Sequence, residues 1–461
     1  MSRDRRRPRL VFASFVFQAI FALSWGPGVV AQECAFTQLT SGTNDDFMPM
    51  TGISVSADGR RVVFRSFEDW VGLNPDHHAQ LFLHDRREGL SQITLSTEAT
   101  TTLQFDLSDD GRLVVYASDR DPTGSNPDHN FELFLVHLDS GVTEALTDTT
   151  GVGHSEPKIS ASADTAVISF CSNADYVGLN GDGNGEVFRY ELASSTFKQI
   201  TSTAGQIVLQ RLEMSADGST VAFVSDQDFV PGANPEGNWE LFLHRQGQGF
   251  LQVTDTITGN HSTGGRLTHD GTEVYFVDEA DLVGSNPDGN GEVFRYSVDR
   301  GLTQLTDTIH PLMLSAAEYL SASGDGSRLA FDSQIDYLGP DPNGMLWGVY
   351  HLEVALGALS IAGERSLSAI PEISGDGASV VFWSDSDLTG ENPGHELLLF
   401  KAECFPFFDD GFESGDVTQW SASLSTVDFA SFNGDPPTTK PRRHAGRQSP
   451  SNDENVNPHG N

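Results

Sequence analysis

Two loops of this chain carry oxygen-bearing side chains at alternate positions, the spacing that begins a calcium-binding loop. The six side chains, three in each loop, are Asn180, Asp182, Asn184, Asn286, Asp288 and Asn290. Ca²⁺ takes about six to eight oxygen ligands around a tight glycine turn. Here the first position is Asn rather than Asp, and the bidentate Glu that completes such a loop is absent. We therefore interpret both loops as structural turns, with a weak calcium site as the alternative. We expect no firmly bound cofactor beyond that possible calcium.

Motifs of known catalytic sites are missing from the sequence. It contains no Gly-x-Ser-x-Gly elbow, no His-Glu-x-x-His, no paired Cys-x-x-Cys and no phosphate-binding glycine loop of the Walker type. The aspartates that recur along the chain are too numerous for one active site, and Asp in a turn accepts nearby backbone N–H groups. We therefore predict a protein that is not an enzyme. A hydrolase or lyase with an unrecognised set of residues is the least favoured alternative.

A long internal repeat sets the framework that positions these loops. Each copy has a short apolar strand, a Ser-x-Asp-Gly-like turn, a second apolar strand, an Asn-Pro-Asp-like loop and two further strands. The copies are 51 to 55 residues apart, as measured between the turn aspartates Asp58, Asp110, Asp164, Asp217, Asp270, Asp325 and Asp376. Four short strands in a period of this length are typical of a β-propeller blade. The sequence therefore predicts an all-β, seven-bladed β-propeller with four-stranded blades.

The two ends of the repeat region complement each other. Residues 36–40 read as a fourth strand with no strands before it, and the last copy has three strands and no fourth. We expect the N-terminal strand to pair with the last blade, which closes the ring and removes an open sheet edge. Cys34 and Cys404 then lie side by side in an antiparallel pair, which predicts a disulfide. Cys171, in an apolar strand, is expected to be a buried free thiol.

Composition predicts three segments and an exported protein. Residues 1–31 combine an arginine-rich start with a short apolar run and small residues, as a secretory signal peptide does. Residues 34–404 hold the propeller, and residues 405–461 form an acidic-aromatic segment followed by a polar tail that we expect to be disordered. After signal cleavage no integral membrane segment is expected. We predict a periplasmic or extracellular location.

The repeat resembles a known family of propellers. The pattern Ser-x-Asp-Gly, then an apolar strand ending near Ser, then Glu-Leu-Phe-Leu and Gln-Leu-Thr resembles the WD40-like (PD40) repeat of TolB-type propellers. The resemblance covers residues 34–404 and implies a non-enzymatic envelope or secreted propeller that binds protein. The chain departs from the family in its longer Asn-Pro-Asp loops and in lacking a separate N-terminal α/β domain, which puts a role like that of TolB itself in doubt.

Charge and loop composition give the expected partner. A net charge of −38 disfavours nucleic acid and anionic membranes, which both need a basic face. We expect a monomer that binds a protein or peptide, with a calcium-supported surface or glycan-binding propeller as the alternative. Apolar residues on the irregular loop from Asp307 to Ala322, before the turn of the sixth copy, suit partner contact, or equally a plug of the central channel. The candidate contacts are Leu312, Met313, Leu314, Glu318 and Tyr319, followed by Asp46 and Phe47.

Overall fold

Seven antiparallel sheets, each of four strands, make up the computed structural model. It describes residues 34–42, 52–97, 103–160, 166–204, 209–257, 264–308, 319–334, 347–366 and 369–404. The predicted seven-bladed β-propeller is confirmed. Within these ranges no helix is long and apolar enough to span a membrane.

Each blade follows the predicted order of strands. The innermost strands are β2 (Ile53–Val55), β6 (Gln104–Leu107), β10 (His154–Ile159), β14 (Leu209–Met214), β18 (Gly265–Leu267), β22 (Leu320–Ala322) and β26 (Ala369–Ile373). The second strands are β3 (Arg61–Ser66), β7 (Leu113–Ser118), β11 (Val167–Ser172), β15 (Thr220–Ser225), β19 (Glu273–Asp278), β23 (Arg328–Ser333) and β27 (Ser379–Ser384). The third strands are β4 (Gln80–Asp85), β8 (Glu132–His137), β12 (Glu186–Glu191), β16 (Glu240–Arg245), β20 (Glu292–Ser297), β24 (Trp347–Glu353) and β28 (Leu398–Cys404). The outer strands are β5 (Gly89–Gln92), β9 (Val142–Ala145), β13 (Thr196–Gln199), β17 (Gly249–Gln252), β21 (Gly301–Gln304), β25 (Ala358–Ser366) and β1 (Cys34–Gln38).

The hydrophobic core lies between neighbouring blades. The second strands of four blades, β7, β11, β15 and β27, are buried along their whole length. In six blades an aromatic ring from the second strand stacks on one from the third, as Phe64 does on Phe82 with ring centroids 5.6 Å apart. We number the blades 1 to 7 in the order of their inner strands along the chain, from β2 to β26. Val63 of blade 1 packs against Val114 and Phe134 of blade 2. Stacked sheets thus replace a single large core.

The first and last strands of the propeller share one sheet. Strand β1 pairs antiparallel with β28, and Cys34 lies opposite Cys404, to which it is joined by a disulfide. The turns at the inner ends of the blades are also tied by main-chain hydrogen bonds, such as Ala57 N–H to Asp109 O and Asp376 N–H to Ala57 O. Cys171 is a buried free thiol.

Removal of the disulfide should destabilise the whole ring. The bridge closes a loop with a sequence separation of 370 residues. We expect Cys34→Ser/Cys404→Ser to lower the free energy of unfolding by about 2–5 kcal/mol, because the unfolded chain regains the entropy of the open loop. Chemical denaturation measures this value. A reductant should lower the melting temperature of the native chain and of Cys171→Ala, but not that of the double variant. Equal melting of the native chain with and without reductant would contradict this account.

Candidate functional site

The two predicted calcium loops use their asparagines to hold the backbone. The Asn180 Nδ2 donates to the carbonyls of Ala174 and Asn184, at 3.2 and 2.9 Å. The Asn286 Nδ2 donates in the same way to Glu279 and Asn290. The third predicted side chains, Asn184 and Asn290, donate to threonines outside the loop, and Asp182 and Asp288 lie exposed. No group of three or more His, Cys, Asp or Glu in the described ranges is arranged to hold a metal ion. A weak calcium site stays the alternative interpretation of these loops.

A buried carboxylate that the sequence analysis overlooked anchors these loops. In blades 2 to 5 the third strand begins with a glutamate that is 0–1% exposed, namely Glu132, Glu186, Glu240 and Glu292. Glu186, for example, accepts hydrogen bonds from the hydroxyls of Thr201 and Thr203 and from the Thr203 N–H. The threonine of the Gln-Leu-Thr motif therefore lies just after the outer strand, where its hydroxyl donates a hydrogen bond to the buried glutamate of the third strand. The sequence signal for this interaction was the recurrence of a Glu at the start of the third strand and of Thr-x-Thr after the outer strand.

The predicted contact loop contributes one described residue. Tyr319 is 41% exposed and immediately precedes inner strand β22. The other candidates, Leu312, Met313, Leu314, Glu318, Asp46 and Phe47, lie outside the described residues. Residues 320–322, which the sequence analysis included in the irregular loop, form β22. Tyr319 lines an axial cavity that sequence reasoning missed.

Side chains of the seven inner strands meet in a ring at the axis, which we call the throat. Each stands two residues before the Ser or Thr that opens the following turn. They are Ser54, Asp106, Lys158, Glu213, Arg266, Ser321 and Glu372. Five of the seven are charged, and in blade order the sign alternates from Asp106 to Glu372. The sequence contains a signal for the throat, since these residues always stand two positions before the turn. Because the position recurs in all seven copies, it was interpreted as structural.

Ion pairs and hydrogen bonds connect the throat from blade to blade. The Glu213 Oε2 accepts from Lys158 Nζ at 3.1 Å and from Arg266 Nη1 at 3.0 Å. The Arg266 Nη2 reaches Glu372 Oε2 at 3.4 Å. Asp106 accepts from the Ser54 hydroxyl at 3.1 Å and from a backbone N–H of blade 3 at 3.0 Å. The carboxylates are thus held by cations, hydroxyls and amides from other blades.

The pKa values of the throat carboxyl groups are shifted in opposite directions by burial and by the neighbouring cations. Burial raises the pKa of Asp106 to about 6, against the opposing effect of Lys158. Burial also raises the pKa of Glu372, although Arg266 opposes it. Glu213 differs, because Lys158 and Arg266 together outweigh burial and hold its pKa below the usual range. The throat therefore combines a firmly ionised carboxylate with acids that gain protons more readily.

A cavity of about 500 Å³ lies above the throat, on the face where the inner strands begin. Its floor includes Lys158, Glu213 and Arg266, and its walls mix charged residues such as Arg65 with apolar ones such as Phe105. Clefts of about 300–1,000 Å³ with a few convergent polar groups are typical ligand sites. This cavity is therefore the best-formed candidate site on the axis.

Three inner strands bulge where they line this cavity. Their registers shift at residues 155–158, 210–213 and 369–372, and Glu156, Arg211 and Ile370 adopt positive φ of 52°, 57° and 56°. Such a φ is rare for side-chain-bearing residues and costs about 1–3 kcal/mol each. Neighbouring blades hold the strained backbone, since Gln104 accepts from the Glu156 N–H and Asp332 from the Ile370 N–H, both at 2.9 Å. Bulges turn side chains toward sites.

The opposite mouth of the channel carries an ion pair between two blades. The His269 Nε2 lies 3.1 Å from Asp109 Oδ2, which belongs to blade 2. The imidazole lies against Gly324 of blade 6 and Gly375 of blade 7. A side chain at Gly375 would clash with it, because the Cβ would lie 2.8 Å from the imidazole Cε1. Burial raises the pKa of Asp109, and the interaction with His269 opposes this. His269 and Asp109 thus bridge this mouth of the channel.

Comparison with known proteins identifies the architecture. No family model and no curated protein sequence matches the chain. An oligogalacturonate lyase of Vibrio parahaemolyticus is 12% identical over 82% of this chain and 98% of its own, with a TM-score of 0.52. A manganese complex of an oligogalacturonate lyase is 15% identical over 82% and 99%, with a TM-score of 0.51. TolB from Acinetobacter baumannii is 17% identical over 69% and 67%, with a TM-score of 0.42. At such identities the likeness to the two lyases shows the fold alone.

The raised pKa of Asp106 should appear in the pH dependence of stability. Its folded-state pKa of about 6 lies above the ordinary 3.8, so the native chain binds more protons than the unfolded chain between these values. Stability from this group is therefore lost as pH rises from about 4 to about 6. Asp106→Asn should remove that loss and gain about 1–2 kcal/mol over the native chain between pH 4 and 7. The expected gain is less than the full 1.4 kcal/mol per pKa unit, because burial of the Asn amide at this position also carries a desolvation cost.

Denaturant titrations from pH 4 to pH 7 measure that difference. Asp288→Asn, on an exposed loop, is the matched control and should run parallel to the native chain. A constant offset between Asp106→Asn and the native chain at every pH would show that Asp106 does not titrate in this range.

Calcium should leave thermal stability unchanged, because the asparagines of the two loops already bond to backbone and threonine. A melt in chelator and another in millimolar Ca²⁺ test this. One site at a hundredfold excess over Kd would add about 2.7 kcal/mol of stability. A rise of several degrees in the native chain that Asp182→Asn/Asp288→Asn loses would show that these loops bind calcium.

Proposed function

We propose that this chain is an exported propeller that binds a protein or peptide, and that a segment of the partner enters the axial cavity above the throat. The observation that carries the proposal is the set of three strained bulges, which direct Glu156, Arg211 and Ile370 into one cavity. Backbone strain of this kind concentrates at binding and catalytic sites, where the surrounding structure maintains it. Loops on a rigid β-scaffold are the usual place for such sites.

The charge of the cavity supports a partner segment that bears a carboxylate. The whole chain carries a net charge of −38, yet four basic side chains, Arg65, Lys158, Arg211 and Arg266, line this one cavity. Lys158 and Arg266 are engaged with Glu213, whereas Arg211 is exposed at the rim. Arginine binds carboxylates through two parallel hydrogen bonds. An acidic or C-terminal residue of a peptide suits this rim.

A binding role also suits the state of the throat carboxylates. Asp106, Glu213 and Glu372 are all engaged by partners from other blades. Such a network supplies a shaped, polar floor for a bound peptide. The disulfide between Cys34 and Cys404 supports location of the protein in an oxidising compartment, such as the periplasm or the exterior of the cell.

Charge reversal at the rim should separate this face from the rest of the surface. We would select binders for the full chain from a phage-displayed library of random peptides and measure the affinity of the recovered peptides by fluorescence polarisation. Arg211→Glu should weaken binding at least about tenfold, because it places a like charge beside the peptide carboxylate. Arg300→Glu makes the same change on an exposed turn at the opposite ends of the strands and should bind within about twofold of the native chain.

Two results would overturn the proposal. One is recovery of peptides that bind Arg211→Glu and the native chain equally well. The other is that Arg300→Glu, and not Arg211→Glu, abolishes binding, because the contact would then lie on the other face.

A further inference from the structure

Blade 2 lacks a pair of bulky side chains that fills the outer part of other blades. In every blade an aspartate follows the second strand, as Asp121 does in blade 2. The residue after it is bulky in six blades, where it is Trp70, Tyr176, Phe229, Leu282, Tyr337 or Leu388, but it is Pro122 in blade 2. The second residue of the outer strand is Leu90, Phe197, Phe250 or Leu302 in blades 1, 3, 4 and 5, but Thr143 in blade 2. In blade 3 the two rings stack, with the centroids of Tyr176 and Phe197 4.0 Å apart.

A cavity of about 420 Å³ opens where blade 2 has these smaller residues. Pro122 and Thr143 line it, together with Ile93 of blade 1 and with Leu103, which immediately precedes β6 of blade 2. Leu95 also lines it and is 69% exposed, so the cavity opens to solvent. Apolar walls and polar groups contribute in similar measure. The space therefore matches, in position and in character, the space that an amphipathic ring such as Tyr176 occupies in blade 3.

A tyrosine hydroxyl distinguishes this cavity from every other blade. The fourth residue of the second strand is Tyr116 in blade 2 and phenylalanine in the six others, Phe64, Phe170, Phe223, Phe276, Phe331 and Phe382. Tyr116 is 3% exposed, stacks on Phe134 with centroids 5.4 Å apart, and lines the cavity. Within the described ranges its hydroxyl forms no hydrogen bond. Because Tyr116 lines the cavity, its hydroxyl can donate a hydrogen bond to, or accept one from, a polar group that enters there.

We propose that the cavity between blades 1 and 2 binds a small molecule with a single aromatic ring and a polar substituent, such as a phenol. The ring takes the place that Tyr176 and Phe197 occupy in blade 3, beside the Tyr116–Phe134 stack. Offset or edge-to-face contact between rings is favourable beyond the burial of area. The substituent pairs with the Tyr116 hydroxyl. This site shares Leu103 with the lining of the axial cavity, but the proposal does not depend on the proposed peptide binding.

Binding of p-cresol to the full chain tests the proposal, by calorimetry and by ligand-observed NMR. Pro122→Tyr/Thr143→Phe introduces the residues of blade 3 into blade 2 and should abolish binding, because the new side chains occupy the cavity. A circular dichroism spectrum and a cooperative melt like those of the native chain show that this variant is folded. Failure of p-cresol to bind the native chain at millimolar concentration, or equal binding by the folded variant, overturns the proposal.

Tyr116→Phe provides a second test that does not depend on filling the cavity. It restores the residue that six blades carry at this position, so the fold should be retained. We expect p-cresol to bind about fivefold more weakly, as for the loss of one hydrogen bond, and toluene to bind as it does to the native chain. Equal loss for both ligands, or no loss for p-cresol, shows that the hydroxyl does not bind the ligand. Binding of 4-methylcyclohexanol as tight as that of p-cresol excludes the aromatic class.

Discussion

Seven inner strands converge on one axis, and this convergence constrains every side chain that points inward. Residues from different blades, about fifty positions apart in the chain, must share one narrow ring. Charged side chains are tolerated there only when neighbouring blades supply the opposite charge or a hydrogen bond, because lone charges lose hydration without compensation. The ion pairs of Glu213 with Lys158 and Arg266 satisfy this requirement across blades 3, 4 and 5. The throat is thus both a condition of assembly and the floor of the candidate site.

The same convergence explains why function is expected at departures from symmetry. A perfectly repeated ring presents seven equal positions, whereas a ligand needs a particular arrangement of groups. The residue two positions before the throat side chain of the inner strand has a positive φ in five blades. It is glycine in two of them, whereas in the other three it is Glu156, Arg211 or Ile370, and these three side chains line one cavity. Blade 2 departs in another way, by replacing large side chains with Pro122 and Thr143 while gaining the hydroxyl of Tyr116. Both cavities arise where a blade differs from its neighbours.

Much of the fold follows from the sequence because local signals repeat seven times. Turn chemistry and apolar runs define each blade, and the incomplete first and last copies predict the pairing of Cys34 with Cys404. Strand limits were less accurate, since residues 36–40 read as one strand but β1 ends at Gln38, and the outer strands of blades 1 to 5 likewise end before their threonines. The reason is physical, since those threonines bond to buried glutamates instead of continuing the ladder.

The candidate site was not predictable by the same means. Asp106, Lys158 and Glu213 are related only through the closed ring, and nothing local shows that they touch. The bulges at Glu156, Arg211 and Ile370 leave no local sequence signature, because their backbone is held by side chains of other blades. The Asn-Pro-Asp loops attracted attention as possible ligands, yet Asn180 and Asn286 use their amides to hold backbone carbonyls.

The central claim is that a partner binds over the axial cavity. Site-specific photocrosslinking tests it most directly, with a photoreactive phenylalanine analogue placed at Tyr319 on the cavity rim or at Leu251 on an outer strand, in the cells that make the protein. We expect one dominant crosslinked protein from position 319 and none from position 251, with the product lost when Arg211→Glu is added. The same product from both positions, or a product from 319 that survives Arg211→Glu, would contradict binding at the axis.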